Sequence, residues 1–417
     1  MSDKPSFSQV IRFCLSYKFF PFIPFLTYIV LPSTIQTVFV VGKDSVHPFY
    51  VFDIFLLLFL FIGAIKNRIN RQSPDLIIPI FLYVLFAIFS AIVNDIGNLF
   101  IGLHYHLEFI LYAFLFRYAV YDKKEVTIVL LICKFLIIYL SIQVILIFFG
   151  FISFDSGPAN IMLRGSSTAG SPNATGHILY LLLVVSLFGT ETKIHRLVLF
   201  ITAGIAIIFT LCRGAILGFA LFFMFIFLIY ELHTTFIRKI TYALFVIGLL
   251  LSLNNYFHFT EILEARQEES LAYSGGDDYT AGRYRRWHNV FEALSYDNAY
   301  LFGEGHATTP MNRGEVLTEW AKTHVKKRFS PHNVYLGVLV ETGIISLFIF
   351  MIMLIKSVRK FYIVDKYLFI GILVFYGVSF MTEIVTYTQN YAVLIWFAYY
   401  NFHEKRNSIG IQSLKKI

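Results

Sequence analysis

The stretch Ser330-Pro331-His332-Asn333, followed at once by Val334-Tyr335-Leu336-Gly337-Val338-Leu339-Val340 and then Glu341-Thr342-Gly343, decides how the chain is read. A long polar segment, 254–331, ends here and an apolar segment of membrane length begins. His332 is therefore expected in the first turn of a transmembrane helix, at the water boundary, with Pro331 at or just before the first helical position. The free N–H groups and positive dipole end of such a helix favour an anion nearby. On residue type alone a capping histidine is the plainer reading, so the residues that accompany His332 carry the argument.

Of 417 residues, 57% are hydrophobic and 14% charged, with a mean hydropathy of +0.69, which excludes an ordinary soluble domain. A helix needs roughly 20 apolar residues to cross the hydrocarbon core, and the alternating pattern of a membrane β-barrel is absent. The expected fold class is all-α, a polytopic helical membrane protein, with many of its 47 Phe facing lipid. The net charge of +8 is informative only loop by loop, because basic residues orient membrane proteins; it gives no reason to invoke a nucleic acid. Cys14, Cys133 and Cys212 lie in or beside apolar runs, so neither a disulfide framework nor a zinc site is expected. Lys4, Arg12 and Lys18 precede the first apolar run in the manner of a signal peptide, but no small-residue cleavage site follows, and the run reads as a retained span.

About 12 transmembrane helices can be drawn. They lie near Phe19 to Val41, Phe49 to Ile65, Leu76 to Val93, Leu103 to Tyr121, Val126 to Phe149 and Ala174 to Phe188. The second half continues near Leu197 to Leu211, Ala215 to Tyr230, Ile240 to Leu253, Tyr335 to Ile355, Leu368 to Phe380 and Tyr391 to Phe402. Pro21, Pro24 and Pro32 are expected to kink the first. With both termini cytoplasmic, the inner connections and tails hold 22 of the 34 Lys and Arg, among them Lys123/Lys124 and Lys356/Arg359/Lys360. Nine of the remaining 12 sit in the long loop, which crosses regardless of its charge, and only Lys43, Arg164 and Arg213 occupy short outer connections. The expected location is the bacterial inner membrane, with His332 facing the periplasm.

The organisation expected is one polytopic domain over 1–417, with a partly helical periplasmic loop over 254–331 between the ninth and tenth spans. That loop opens with a capped, acidic helix start from Thr260 to Glu269. From Thr280 to Leu294 a second helix is expected, with Trp287, Val290, Phe291 and Leu294 on one face and Arg283 and Arg286 at helical spacing from it. Leu301-Phe302-Gly303-Glu304-Gly305 reads as a glycine-rich turn.

Arg213 lies between two apolar runs with almost no loop around it. A charge at a helix centre costs about 2.5 to 3.5 kcal/mol on insertion scales, so an arginine held this close to hydrocarbon is usually paired or functional, unless it simply snorkels. Arg164 precedes Ser171-Pro172-Asn173, a loop with helix-start chemistry. Together with Arg283 and His332 these arginines make a basic, anion-seeking mouth at one membrane face, and the guanidinium fork suits phosphate oxygens. An outward face offers no nucleotide donor, so an enzyme there must draw on a substrate already activated on the membrane. A lipid pyrophosphate meets that need: arginines stabilise the charge on a departing diphosphate, and His332 takes the proton from an attacking hydroxyl. Asn173, Arg286, Asn333, Tyr335 and Glu341 are supporting candidates. A metal is not expected: His104 and His106, beside Glu108, point to different helical faces, and Asp277-Asp278 reads as a solvated turn among Gly and Ser. Glu383, between the last two spans, is placed to balance the arginines.

At these residues the chain resembles the O-antigen ligase and polymerase superfamily of membrane glycosyltransferases. The resemblance rests on Arg164 with Gly170-Ser171-Pro172-Asn173; on Thr210-Leu211-Cys212-Arg213-Gly214; on Gly282-Arg283 with Trp287 and Leu301-Phe302-Gly303-Glu304-Gly305; and on His332-Asn333 followed by Glu341-Thr342-Gly343. Each segment is short, and their order around the long loop is what is specific. The resemblance implies a twelve-span fold and an inverting, metal-independent transfer of an oligosaccharide from undecaprenyl pyrophosphate to an acceptor sugar hydroxyl, with no cofactor. It assigns the pyrophosphate to Arg213 and Arg283 and acceptor activation to His332. The ligase pattern is met at His332, Asn333 and Gly343 but ends in Ser346, where Gly, Thr or Tyr is expected. The first 150 residues match nothing in it.

The expected activity is that of a polymerase extending a lipid-linked O-antigen or related surface polysaccharide, with a chain-length regulator as a partner to test for. The alternative is a ligase that moves the glycan to lipid A-core. A lipid-linked oligosaccharide flippase ranks lower, because transporters commonly show paired internal repeats and midplane charges, whereas here the polar signal gathers at the outer face.

Overall fold

The protein is described from a computed structural model, in which residues 5–30, 40–41, 44–45, 76–94, 109, 112–113, 115–117, 121–152, 172–188, 190, 192–226, 287–288, 290–291, 294–295, 299–303, 332–382 and 388–402 are described. These residues are helical apart from their turns and a two-residue antiparallel ladder, β1 (Val40–Val41) on β2 (Asp44–Ser45). The helices are α1 (Phe7–Cys14), α2 (Ile23–Val30), α3 (Ile77–Asn94), α4 (Lys123–Phe148), α5 (Pro172–Phe188) and α6 (Lys193–Phe209). They continue as α7 (Arg213–Phe225), α8 (Val334–Val364), α9 (Lys366–Thr382) and α10 (Thr388–Asn401). Two of them, α4 and α8, are long and apolar enough to cross a membrane, and several shorter helices are equally apolar.

Local chemistry starts the helices at one common end. Asp122 accepts from the N–H groups of Lys124 and Glu125 while Glu125 reaches back to the Asp122 N–H, a capping box that opens α4. Thr192 caps α6, and Asp365 caps α9 through the N–H groups of Tyr367 and Leu368. Around these caps sit the Lys18–Glu125 ion pair at 2.7 Å, the Tyr121 hydroxyl on the Lys18 carbonyl, and Arg196 donating to the Tyr367 hydroxyl at 2.9 Å. Lys360 lies 4.3 Å from the Tyr399 ring centroid. This end thus collects cations, the distribution expected of a cytoplasmic face.

The core is built on α5 and α10. From Ala174 to Phe188 every residue of α5 is buried, and Tyr391 to Phe402 are buried on the last helix. A helix apolar on all sides belongs in the middle of a bundle. Tyr180 donates to the Gly371 carbonyl at 2.9 Å and stacks on Phe375, and Phe188 stacks on Phe402, tying α5 to α9 and to the end of α10. Outer helices expose apolar stripes instead: Ile78, Phe81, Leu85, Phe89 and Ile92 recur along α3 at helical spacing, and Leu131, Phe135, Ile138 and Ile142 along α4. Such stripes suit lipid rather than water.

Two expectations change. The first span, read from Phe19 to Val41 with proline kinks, is a 3₁₀ segment Tyr17–Phe22 that carries Pro21, then the short α2, and Val40–Val41 belong to the β ladder. Pro21 has no N–H to give an α ladder, and the tighter 3₁₀ turn absorbs it. The tenth span, read as one helix, is broken at Gly343, where φ is 82° and ψ 177°. The expected second and ninth spans and more than half of the fourth lie outside the described residues, as does most of 254–331.

Candidate functional site

The opposite end of the bundle holds the turn between α6 and α7. Thr210 ends α6, Leu211 takes a left-handed conformation (φ 51°), and Cys212 starts α7, so three residues reverse the chain. Thr210 holds this turn with one oxygen: its hydroxyl donates to the Ile207 carbonyl at 2.7 Å and accepts from the Cys212 N–H at 3.2 Å. Arg213 is then the first residue of α7, at a helix N-terminus, and is exposed.

The turn is seated on the start of α5. A side chain on Gly176 would meet Ala215 Cβ at 2.9 Å and Thr210 Oγ1 at 3.1 Å, and one on Gly214 would collide with Thr382 Oγ1 and lie 3.2 Å from His177 Cε1. His177 is fully buried, with Nε2 3.4 Å from Thr382 Oγ1 and 3.7 Å from Cys212 Sγ. The Thr382 hydroxyl also donates to the Val378 carbonyl at 3.0 Å. These polar contacts fix the first turn of α7, and with it Arg213, against α5 and the end of α9.

His332 stands at the start of α8, and the structure revises its placement. The helix begins at Val334; buried Asn333 is its cap, accepting from the Leu336 N–H at 3.1 Å. His332 precedes the cap with φ 47°, outside the helix and half-buried. Asn carries a side-chain acceptor and Pro does not, which is why the helix is capped at 333 rather than opened at 331. A histidine in the left-handed region is uncommon, and such strain gathers at functional sites.

Tyr335, one turn on, donates to the Tyr376 carbonyl at 2.7 Å. That carbonyl belongs to a π-turn, Phe375–Ser379, closed by a bond from the Phe380 N–H to the Phe375 carbonyl. Single π-turns inside helices are frequent at functional sites. The final turns of α9 therefore touch the His332 helix through Tyr376 and the Arg213 helix through Thr382. Arg213, His332, Asn333 and half-buried Asn173, the second residue of α5, come to the same end of the bundle. Arg164, Arg283 and Arg286 lie outside the described residues, as do His104, His106, Glu108, Asp277, Asp278 and Glu383.

The long loop approaches α8 where it is described. Residues 287, 288, 290, 291, 294 and 295 are helical. Val290 and Leu294 are buried against Leu339 and Val340 of α8, whereas Phe291, expected on the same face, is exposed. An i, i+4 pair makes the contact, and the position next to Val290 turns out of it.

Sequence reasoning missed His177 and Thr382. His177 had a signal: an ionisable residue inside an apolar span is expensive and so a functional hypothesis by default. Thr382 had none, because its role depends on the Gly214 backbone reaching it.

No curated protein matches the chain. A family model described as O-Antigen ligase matches residues 198–351, a stretch that runs from α6 through the α7 turn to α8 and contains both Arg213 and His332. Enzymes of this family are membrane glycosyltransferases that use polyprenyl-pyrophosphate-linked glycans, and the family implies a polytopic membrane protein. In residues 198–351 the chain carries a domain of the O-antigen ligase and polymerase family.

Proposed function

We propose that the protein is a polymerase of O-antigen or a related surface polysaccharide. It transfers an oligosaccharide from undecaprenyl pyrophosphate to a sugar hydroxyl of a lipid-linked acceptor at the periplasmic face of the inner membrane, with both termini cytoplasmic. What supports this reading is that the helices beginning next to Arg213 and His332 both pack on the last turns of α9, through Gly214 and Tyr335, at the end away from the basic caps. His332 takes the proton of the acceptor hydroxyl, whose oxygen attacks the anomeric carbon of the donor sugar. As that C–O bond forms, the bond to the diphosphate oxygen breaks, the anomeric configuration inverts and undecaprenyl pyrophosphate departs. The guanidinium of Arg213, with Arg283 and Arg164, neutralises charge on the departing diphosphate, work that metal-dependent transferases give to a divalent cation.

Purified protein given lipid-linked repeat units alone lengthens them if it is a polymerase. A strict requirement for lipid A-core as acceptor replaces this reading with the ligase. In cells lacking the protein, surface glycan reduced to one repeat supports the polymerase, and loss of every repeat supports ligation or export. A chelator of divalent cations leaves the rate unchanged; a rate restored only by added metal refutes the arginine assignment.

A further inference from the structure

The break at Gly343 divides α8 into an outer arm, from Val334 to Thr342, and an inner segment from Ile344 onward. A break removes α-ladder bonds, and groups freed inside an apolar span need other partners. Two are supplied from elsewhere in the chain. Ser90, on α3, donates its hydroxyl to the Glu341 carbonyl at 2.8 Å. The Tyr300 carbonyl, on the turn that ends the described part of the long loop, accepts from the Ile344 N–H at 2.8 Å.

That turn is wedged into the break backbone to backbone. A side chain on Gly303 (φ 74°) would meet the Glu341 carbonyl carbon and the Thr342 nitrogen at 2.7 Å. One on Gly343 would run into the Leu301 carbonyl and lie 2.6 Å from Phe302 Cα. The conformation at Gly343 is open only to glycine. Phe302 packs edge-on against Phe89 of α3 at 4.9 Å, and Val290 and Leu294 hold the preceding loop residues on Leu339 and Val340 of the arm. Loop, arm and α3 thus meet at one joint.

We propose that Ser90, with the Gly303–Gly343 clasp, is a positioning element that sets the angle of the arm and therefore the location of His332 at its tip. The inference rests on the reading of His332 as the base. From Gly343 to His332 the arm is about 15 Å long, so a tilt of about 5° at the joint moves the imidazole by about 1 Å, enough to cost on the order of a hundredfold in rate when geometry limits reaction. Ser90 anchors the joint to a part of the chain that lies outside the matched family domain.

The test uses the full-length protein in lipid nanodiscs with undecaprenyl pyrophosphate bearing the native repeat unit. Donor bound per protein and the single-turnover rate are measured for the wild type, Ser90→Ala, Ser90→Thr and His332→Ala. Ser90→Ala should bind donor at full stoichiometry and transfer it about tenfold more slowly per bound donor, and Ser90→Thr, which keeps the hydroxyl, should restore the rate. A merely structural role would lower the amount of donor bound instead. If Ser90→Ala matches the wild-type rate, or its loss is fully accounted for by unbound donor, while His332→Ala is inactive, the positioning inference alone falls. Normal transfer by His332→Ala removes the base assignment and this inference with it.

Discussion

Gly214 and Thr382 approach so closely that a β-carbon on the first would occupy the hydroxyl of the second. The Arg213 helix is therefore located by a contact between its Gly214 backbone and the end of α9, and the Arg213 side chain has little freedom at its root.

Gly214→Ala forces that contact apart. Overpacking of this kind typically costs about 1 to 3 kcal/mol, seen as a lower Tm in detergent, and transfer falls with it because Arg213 moves. Thr382→Ala makes room, so the double variant should recover part of both losses, with a coupling of about 0.5 kcal/mol or more. Strict additivity would mean that the two residues do not press on each other.

Arg213→Lys keeps the charge and loses the planar fork. Because Arg213 is exposed, stability should hold to within about 0.5 kcal/mol, while turnover with lipid pyrophosphate drops by about tenfold or more. Unchanged turnover would argue against contact with two phosphate oxygens at once.

His332 pays for its left-handed backbone, a conformation that costs an ordinary residue about 1 kcal/mol and glycine nothing. His332→Gly should be as stable as the wild type or up to about 1 kcal/mol more stable, and inactive. Retention of activity in His332→Gly or His332→Ala would remove the imidazole from the mechanism.

Asn333→Asp preserves an acceptor for the Leu336 N–H and places a negative charge where an anionic donor is expected. Protein stability should be preserved and KM for donor raised. Asn333→Ala should do the reverse, losing about 1 kcal/mol of capping with a smaller change in KM.

Glu125→Ala, at the far end, breaks the ion pair with Lys18 and half of the α4 capping box. A loss of about 1 to 2 kcal/mol is expected, with transfer per folded protein unchanged. A specific loss of activity would show that the two ends are coupled.

Much of the helical layout was legible because apolar runs bounded by charges and caps are local signals. The expected span from Val126 to Phe149 is α4, Ala174 to Phe188 falls within α5, and Leu368 to Phe380 within α9. What escaped was non-local. Gly343, just after Glu341-Thr342, lay inside a span read as one helix, and its break is specified by Leu301 and Phe302, remote in sequence. Ser90 looked like any small residue in a membrane helix until the Glu341 carbonyl came within reach. The first span misled because three prolines were read as kinks in one long helix, while the structure uses Pro21 in a 3₁₀ turn. Arg213 and His332 were identifiable as charge and imidazole beside apolar runs, but the common neighbour of their helices, the end of α9, required three-dimensional packing to appear.

The wide turn at Phe375–Ser379 makes the register of everything after it depend on a single surplus residue. Deleting one position there would let the helix wind regularly again and would rotate Thr382 by about 100°, swinging it off Gly214 and away from His177. Sequence length in this stretch, more than the identity of any side chain in it, governs which face of α9 meets the Arg213 helix.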